Sequence, residues 1–153
     1  MCMFLRNSLL RKLPLPLLIA VALPAQGQSN WLTLAGNPGD PRTDIVEVDA
    51  ESRSASREWP TLNIRANGAV LRTSTDGVPF RSITATVMVD CAAKSARFVS
   101  ATFYMMPLWE GQPHKTLAYS SAELRPMQFR SVEPNPSLRI IRAACPNLGA
   151  AAG

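Results

Sequence analysis

The clearest pattern along the chain is an alternation of apolar and polar residues over residues 83–91 (ITATVMVDC). Apolar residues recur at every second position, which predicts a β-strand with one buried face. The residues predicted on that face are Ile83, Ala85, Val87, Val89 and Cys91.

A second alternating run covers residues 96–106 (ARFVSATFYMM) and predicts the partner strand of a hairpin. The intervening residues 92–95 supply its turn. On the apolar side of this strand the alternation places Val99, Ala101, Phe103 and Met105.

Shorter runs predict the other strands, at residues 31–34, 43–49, 59–65, 69–73, 114–120 and 127–132. Asn67 and Gly68 form a pair that is typical of a hairpin turn, so we expect the chain to reverse there. Asp76 and Gly77 predict another turn in the same way.

The periodicity changes near the C-terminus, where a short helix is predicted. Asn135 can cap this helix, Pro136 suits its first position and Pro146 ends it. The stripe predicted to face the sheet consists of Leu138, Ile141 and Cys145. We therefore predict an α+β fold: an antiparallel β-sheet of about six strands with a C-terminal α-helix packed on it.

Residues 1–27 have the features of a secretory signal peptide. A basic start precedes the apolar run of residues 13–23, and the small residues that follow suit cleavage after Gly27. The run is shorter than the roughly 20 apolar residues that a membrane-spanning helix needs, so no stable membrane span is expected. One domain, residues 28–153, would then reach the periplasm, the cell surface or the medium.

Removal of this segment changes the charge and the cysteine count. The net charge falls from +5 to +2, because three basic residues leave and all 11 acidic residues stay. The remaining arginines are scattered singly, which indicates a solvated surface and not a nucleic-acid site. Cys2 also leaves, so that two of the three cysteines remain.

Cys91 and Cys145 are the cysteines of the predicted exported domain. In an oxidising compartment such a pair forms a disulfide, which here would tether the helix to the sheet. A reactive thiol and a metal-binding pair are the alternatives. Neither cysteine has a histidine or a lysine-rich setting nearby, however, and two thiolates are too few for zinc.

Catalytic chemistry has little support in the sequence. The chain has one histidine, His114, and it lacks a G-x-S-x-G elbow, a P-loop and a dinucleotide fingerprint. The spacing of the acidic residues does not match a calcium loop and predicts turn or surface roles for Asp40, Asp44, Glu47, Asp49 and Glu51. We expect no enzymatic activity, no metal site and no cofactor.

Three tryptophans are candidates for recognition, because aromatic residues are enriched at protein interfaces. We expect Trp31 and Trp59 to pack in the core. Trp109 lies in a stretch with turn-forming residues, so we expect it to be exposed. The predicted recognition surface consists of Trp109 and Tyr104.

Several short segments occur in the order of a known family, namely Trp31, residues 45–49 (IVEVD), Arg81-Ser82, residues 89–92 (VDCA), Arg97, Phe98, Tyr104, Phe129, Pro136, Ser137 and Cys145. On these residues the chain resembles the surface-adhesin protein E family of Gram-negative bacteria, over residues 31–146. The resemblance implies an antiparallel sheet with a disulfide-tethered C-terminal helix. It also implies binding to host matrix or serum proteins.

Two functions are therefore expected from different classes. The first is an exported, non-enzymatic envelope or surface binding protein with a protein partner. The alternative is a periplasmic housekeeping or inhibitor protein whose partner is bacterial. A hydrolase that uses His114 is a third and weaker hypothesis. The sequence also leaves open that the protein forms a homodimer.

Overall fold

Six β-strands form a single antiparallel sheet in which the spatial order is the order along the chain. The computed structural model describes residues 30–123 and 125–149, so the predicted signal peptide, residues 1–27, lies outside the described residues. The strands are β1 (Trp31–Ala35), β2 (Ile45–Asp49), β3 (Thr61–Thr73), β4 (Pro79–Asp90), β5 (Ser95–Tyr104) and β6 (Lys115–Ala118). The α+β prediction is confirmed, with β1 and β6 at the two edges.

One face of the sheet, here called the inner face, carries the hydrophobic core. Ile83, Ala85, Val87 and Val89 of the predicted alternation are buried there, and the partner residues of β3 and β5 lie beside them. Cys91, the last predicted position, follows the end of β4 and is partly buried. The largest fully buried apolar side chains of β2 to β4 on this face are Val46, Val48, Leu62, Ile64, Val87 and Val89.

The helix α1 (Ser137–Ala144) contributes Ile140, Ile141 and Ala144 to this core. The predicted stripe is wrong at Leu138, which is 60% exposed. Cys145 follows the last helical turn with non-helical backbone angles, so it does not share a helical wheel with Leu138. Within residues 30–123 and 125–149, no helix has the length and apolar character needed to cross a membrane.

A bulge in β5 changes which side chains face the core. The register shifts between Thr86 and Val87, and Val99 has no partner in β4. Phe98 consequently packs against the core where Val99 was predicted to lie. The prediction is also wrong for Met105, which follows the end of β5 and is exposed. The β5 positions that are confirmed as core are Ala101 and Phe103.

Asn67 and Gly68 do not form the predicted hairpin turn but lie within β3. The Asn67 side chain is buried, and its amide nitrogen donates to the carbonyl oxygens of Pro41 (3.3 Å) and Thr43 (2.8 Å). These distant partners satisfy the amide in an extended strand. The turn predicted at Asp76-Gly77 is confirmed between β3 and β4, with a left-handed φ of 77° at Gly77.

Residues 127–132 form no strand, although one was predicted there. Pro126 makes an isolated bridge with Arg97, and the segment that follows buries Met127, Phe129 and Val132 against the sheet. This segment therefore packs on the sheet through apolar side chains and forms no continuous ladder of backbone hydrogen bonds with it.

Asp76 ties the turn between β3 and β4 to the part of the chain that follows β6. The carboxylate accepts hydrogen bonds from Tyr119 Oη (2.8 Å) and Arg125 Nε (2.8 Å). The hydrogen bond from Arg125 lowers the pKa of Asp76 below its ordinary value. Burial raises the pKa of Tyr119 to about 12, and the hydrogen bond to Asp76 is the second cause of this rise.

The predicted disulfide joins Cys91, directly after β4, to Cys145, directly after α1, with 5.8 Å between the Cα atoms. An eight-residue helix has little stability alone. The bond therefore holds α1 on the inner face at the point where it ends.

We predict that the double substitution Cys91→Ala/Cys145→Ala lowers the free energy of unfolding by about 4 kcal/mol, because the closed loop is long. Urea unfolding of the oxidised protein and of the variant measures this difference. Equal stability of the two proteins would contradict the role of the disulfide.

We predict that Asp76→Asn destabilises the protein at neutral pH and that the deficit shrinks in acid. The pKa of Asp76 is lower in the folded state, so its carboxylate stabilises the fold above about pH 4 and this contribution is lost as the pH falls further. Urea unfolding of both proteins between pH 7 and pH 2 tests this. A deficit that stays constant over that range would exclude it.

Candidate functional site

The opposite side of the sheet, here called the outer face, carries a polar row that crosses all six strands. Directly paired residues of antiparallel strands place their side chains on the same face. The row consists of Thr33, Glu47, Arg65, Thr84, Thr102 and Thr116, each paired with the next. This face therefore presents hydroxyl groups and one ion pair where the inner face is apolar.

Glu47 is buried within this row, with 4% of its surface exposed. Its carboxylate accepts hydrogen bonds from Arg65 Nε (2.5 Å) and from Thr33 Oγ1 (3.1 Å). The turn or surface role predicted for the acidic residues is wrong for Glu47. Asp49 is also buried, but it has a turn role, because its Oδ1 accepts a hydrogen bond from the Glu51 nitrogen (3.1 Å). Pairing with Arg65 compensates the cost of removing the Glu47 charge from water.

The guanidinium group of Arg65 lies against two indole rings. Its carbon Cζ is 4.3 Å from the ring centroid of Trp31 and 4.1 Å from that of Trp109. Both distances are within the range of cation–π attraction. Trp31, Glu47, Arg65 and Trp109 form what we call the tryptophan–arginine cluster.

Trp109 reaches the cluster because residues 105–114, the tryptophan loop, fold back over the outer face between β5 and β6. Its backbone nitrogen donates to Ser82 Oγ (3.0 Å), and that hydroxyl donates in turn to the Met106 carbonyl oxygen (2.7 Å). The indole Nε1 donates to the Ile83 carbonyl oxygen (2.8 Å). The ring is thus anchored at both its backbone and its edge.

Two consecutive residues of this loop adopt left-handed backbone angles. The φ values are 54° at Leu108 and 62° at Trp109, which bulky residues rarely adopt. Asn67 Oδ1 accepts a hydrogen bond from the Leu108 nitrogen (2.9 Å) and helps to hold this conformation. Strained residues of this kind persist where the surrounding structure fixes them, and they cluster at functional sites.

The predicted recognition residues both occur at this end of the outer face. Tyr104 pairs with Ser82 across β5 and β4, and Ser82 contacts the Trp109 backbone. Trp109 and Tyr104 are partly exposed. Their role in recognition stays a prediction.

The remaining tryptophans depart from the core packing that was expected. Trp31 is partly exposed in the cluster, and Trp59 is 49% exposed outside it. Arg65 and Glu47 were missed as site residues, because a scattered arginine and a strand glutamate look like solvated surface until the strand register is known. Arg65 follows buried Ile64, and Glu47 precedes buried Val48. This alternation is the signal that could have placed Arg65 and Glu47 on the outer face.

His114 is exposed, and its Nε2 lies 2.8 Å from the Pro79 carbonyl oxygen. Within the part of the chain that the structure describes, no group of three or more His, Cys, Asp or Glu residues is arranged to hold a metal ion.

Comparison with known proteins decides the family. The family model of surface-adhesin protein E matches residues 31–146, most of the chain. The chain belongs to the surface-adhesin protein E family. Members of this family are surface proteins by its description, and the match confirms the resemblance that the sequence motifs indicated.

Two solved structures of family namesakes are similar to this surface-adhesin E domain. Crystal form II of Haemophilus influenzae protein E is 16% identical with a TM-score of 0.48, and the match covers 84% of this chain and 97% of that chain. Protein E from non-typeable Haemophilus influenzae has the same identity and TM-score, with 86% and 85% covered. No curated protein sequence matches the chain.

We predict that Arg65→Met lowers the free energy of unfolding of the domain by about 3 kcal/mol, because it leaves the Glu47 charge buried without its partner. The double substitution Glu47→Met/Arg65→Met should recover most of this loss. Urea unfolding measures both, and Arg57→Met at an exposed arginine serves as the control. A double variant as unstable as Arg65→Met would refute the ion-pair explanation.

Proposed function

We propose that the protein is an exported, non-enzymatic surface protein that binds other proteins through its outer face. The observation that carries this proposal is the tryptophan–arginine cluster, which a strained loop holds on the face opposite to α1. Membership of the surface-adhesin protein E family supports it.

The composition of the outer face suits a protein partner. Tryptophan, tyrosine and arginine dominate the binding energy of protein interfaces, and the outer face carries all three types in Trp31, Arg65, Trp109 and Tyr104. The threonines of the polar row offer hydroxyl groups around these anchors. A rigid aromatic centre with a polar surround is the usual anatomy of an interface.

We further propose that the partner is a host matrix or serum protein, which the family relationship favours. Export through a signal peptide at residues 1–27 belongs to the same proposal, with residues 28–153 as the working domain. A homodimer stays a prediction. The sheet edges β1 and β6 are the places where a second copy could pair.

We predict that Trp109→Ala weakens binding at least tenfold to any matrix or serum protein that binds the parent protein, because it removes an aromatic anchor of the interface. Biolayer interferometry against a panel of purified matrix and serum proteins measures the affinity. Thr116→Arg is a second test. It should also weaken binding, because it places a long charged side chain at an exposed position of the polar row and leaves the core untouched.

Trp59→Ala is the matched control, since Trp59 is an exposed tryptophan outside the cluster. It should bind with unchanged affinity. Equal losses in Trp59→Ala and Trp109→Ala would exclude the tryptophan–arginine cluster as the centre of the binding surface. Absence of saturable binding to every host protein, with binding to a bacterial envelope protein instead, would replace the host-directed part of the proposal by the periplasmic alternative.

A further inference from the structure

A partly open cavity of about 570 Å³ lies on the inner face of the sheet, on the side away from the tryptophan–arginine cluster. Its walls include four phenylalanines, two of which, Phe80 and Phe103, meet edge to face with 5.5 Å between ring centroids. The other two are Phe98 of β5 and Phe129 of the segment after β6, and Tyr119 also lines the cavity. The volume and the apolar walls are those of small-molecule sites in proteins.

The charged residues that line the cavity leave one positive charge in excess. They are three arginines and two aspartates. Arg72 binds Asp44 with both carboxylate oxygens at 2.9 Å, and Arg125 binds Asp76 at 2.8 Å. Each of these two pairs is neutral as a whole, so the third arginine determines the net charge.

Arg130 is the third arginine and has no carboxylate partner among the described residues. Its Nε and Nη2 donate to the neutral side-chain oxygen of Gln128, at 3.3 Å and 3.1 Å. The backbone carbonyl oxygen of Arg130 accepts from Arg72 Nη1 (3.4 Å), which places the residue beside the first ion pair. An exposed arginine without a carboxylate partner in the described residues therefore lines the same cavity as the four phenylalanines.

We propose that this cavity binds a single-chain amphiphile with a monoanionic head, such as a free medium- or long-chain fatty acid. The apolar chain lies among the phenylalanines, and the carboxylate binds Arg130. A guanidinium suits a carboxylate because its planar fork can donate two parallel hydrogen bonds.

The excess of one positive charge favours a carboxylate over a phosphate monoester. The carboxylate brings a single negative charge, whereas a phosphate monoester carries between one and a half and two at neutral pH. The aromatic walls favour an apolar chain over a sugar or a peptide, whose polar groups would lose their hydrogen bonds to water there. This inference concerns the inner face and does not depend on the proposed function of the outer face.

Isothermal titration of the purified protein with decanoate and with decan-1-ol tests the proposal, because the two ligands share a chain and differ in the head. Decanoate should bind saturably with one molecule per chain. Arg130→Gln should weaken decanoate about tenfold and leave decanol unchanged. Arg57→Gln, the same charge change at an exposed arginine outside the cavity lining, should bind decanoate as the parent protein does.

Phe98→Ala tests the position of the chain. It should weaken decanoate and decanol by similar factors, and a thermal melt checks that the variant is folded. If Phe98→Ala does not fold, the comparison of decanoate and decanol binding between the parent protein and Arg130→Gln still tests the proposal. The proposal is overturned if the parent protein shows no saturable binding of decanoate. It is equally overturned if Arg57→Gln and Arg130→Gln lose affinity alike.

Discussion

The sheet is much wider than its α-helix is long, and this shortage of cover shapes both of its faces. An eight-residue helix is about 12 Å long, whereas six strands side by side span about 24 Å. The disulfide fixes this short helix over one part of the inner face, and residues 127–132 cover another part without forming a strand. The cavity beside Arg130 lies where neither cover closes fully over the apolar surface.

The outer face meets a different requirement, because it has no layer of helices in the described residues. Its strands carry threonines and a buried ion pair in place of apolar side chains. The tryptophan loop supplies a partial cover at one end, and Arg65 joins that cover to the sheet through its contacts with Glu47 and Trp109. Burial of charge and presentation of aromatic surface are therefore achieved by the same few residues.

Local alternation was sufficient to predict the β4–β5 hairpin, and the cysteine count was sufficient to predict the disulfide. Features that depend on distant partners were not predictable. Asn67-Gly68 forms a strand here because carbonyl oxygens 24 and 26 residues away receive the Asn67 amide. Arg65 belongs to the site because register sets it beside Glu47. Spacing alone also misjudged Leu138, since the helix ends before Cys145.

The order of the strands in the sheet has a consequence for how the molecule assembles. Each strand pairs with its neighbours in the chain, so every pairing closes a short loop and costs little chain entropy. The sheet can grow from β1 to β6 in the direction in which the chain is made. The final helix contributes the most distant covalent contact, with Cys145 54 residues beyond Cys91. Slow, non-local steps are thereby concentrated at the C-terminal end, after the sheet has formed.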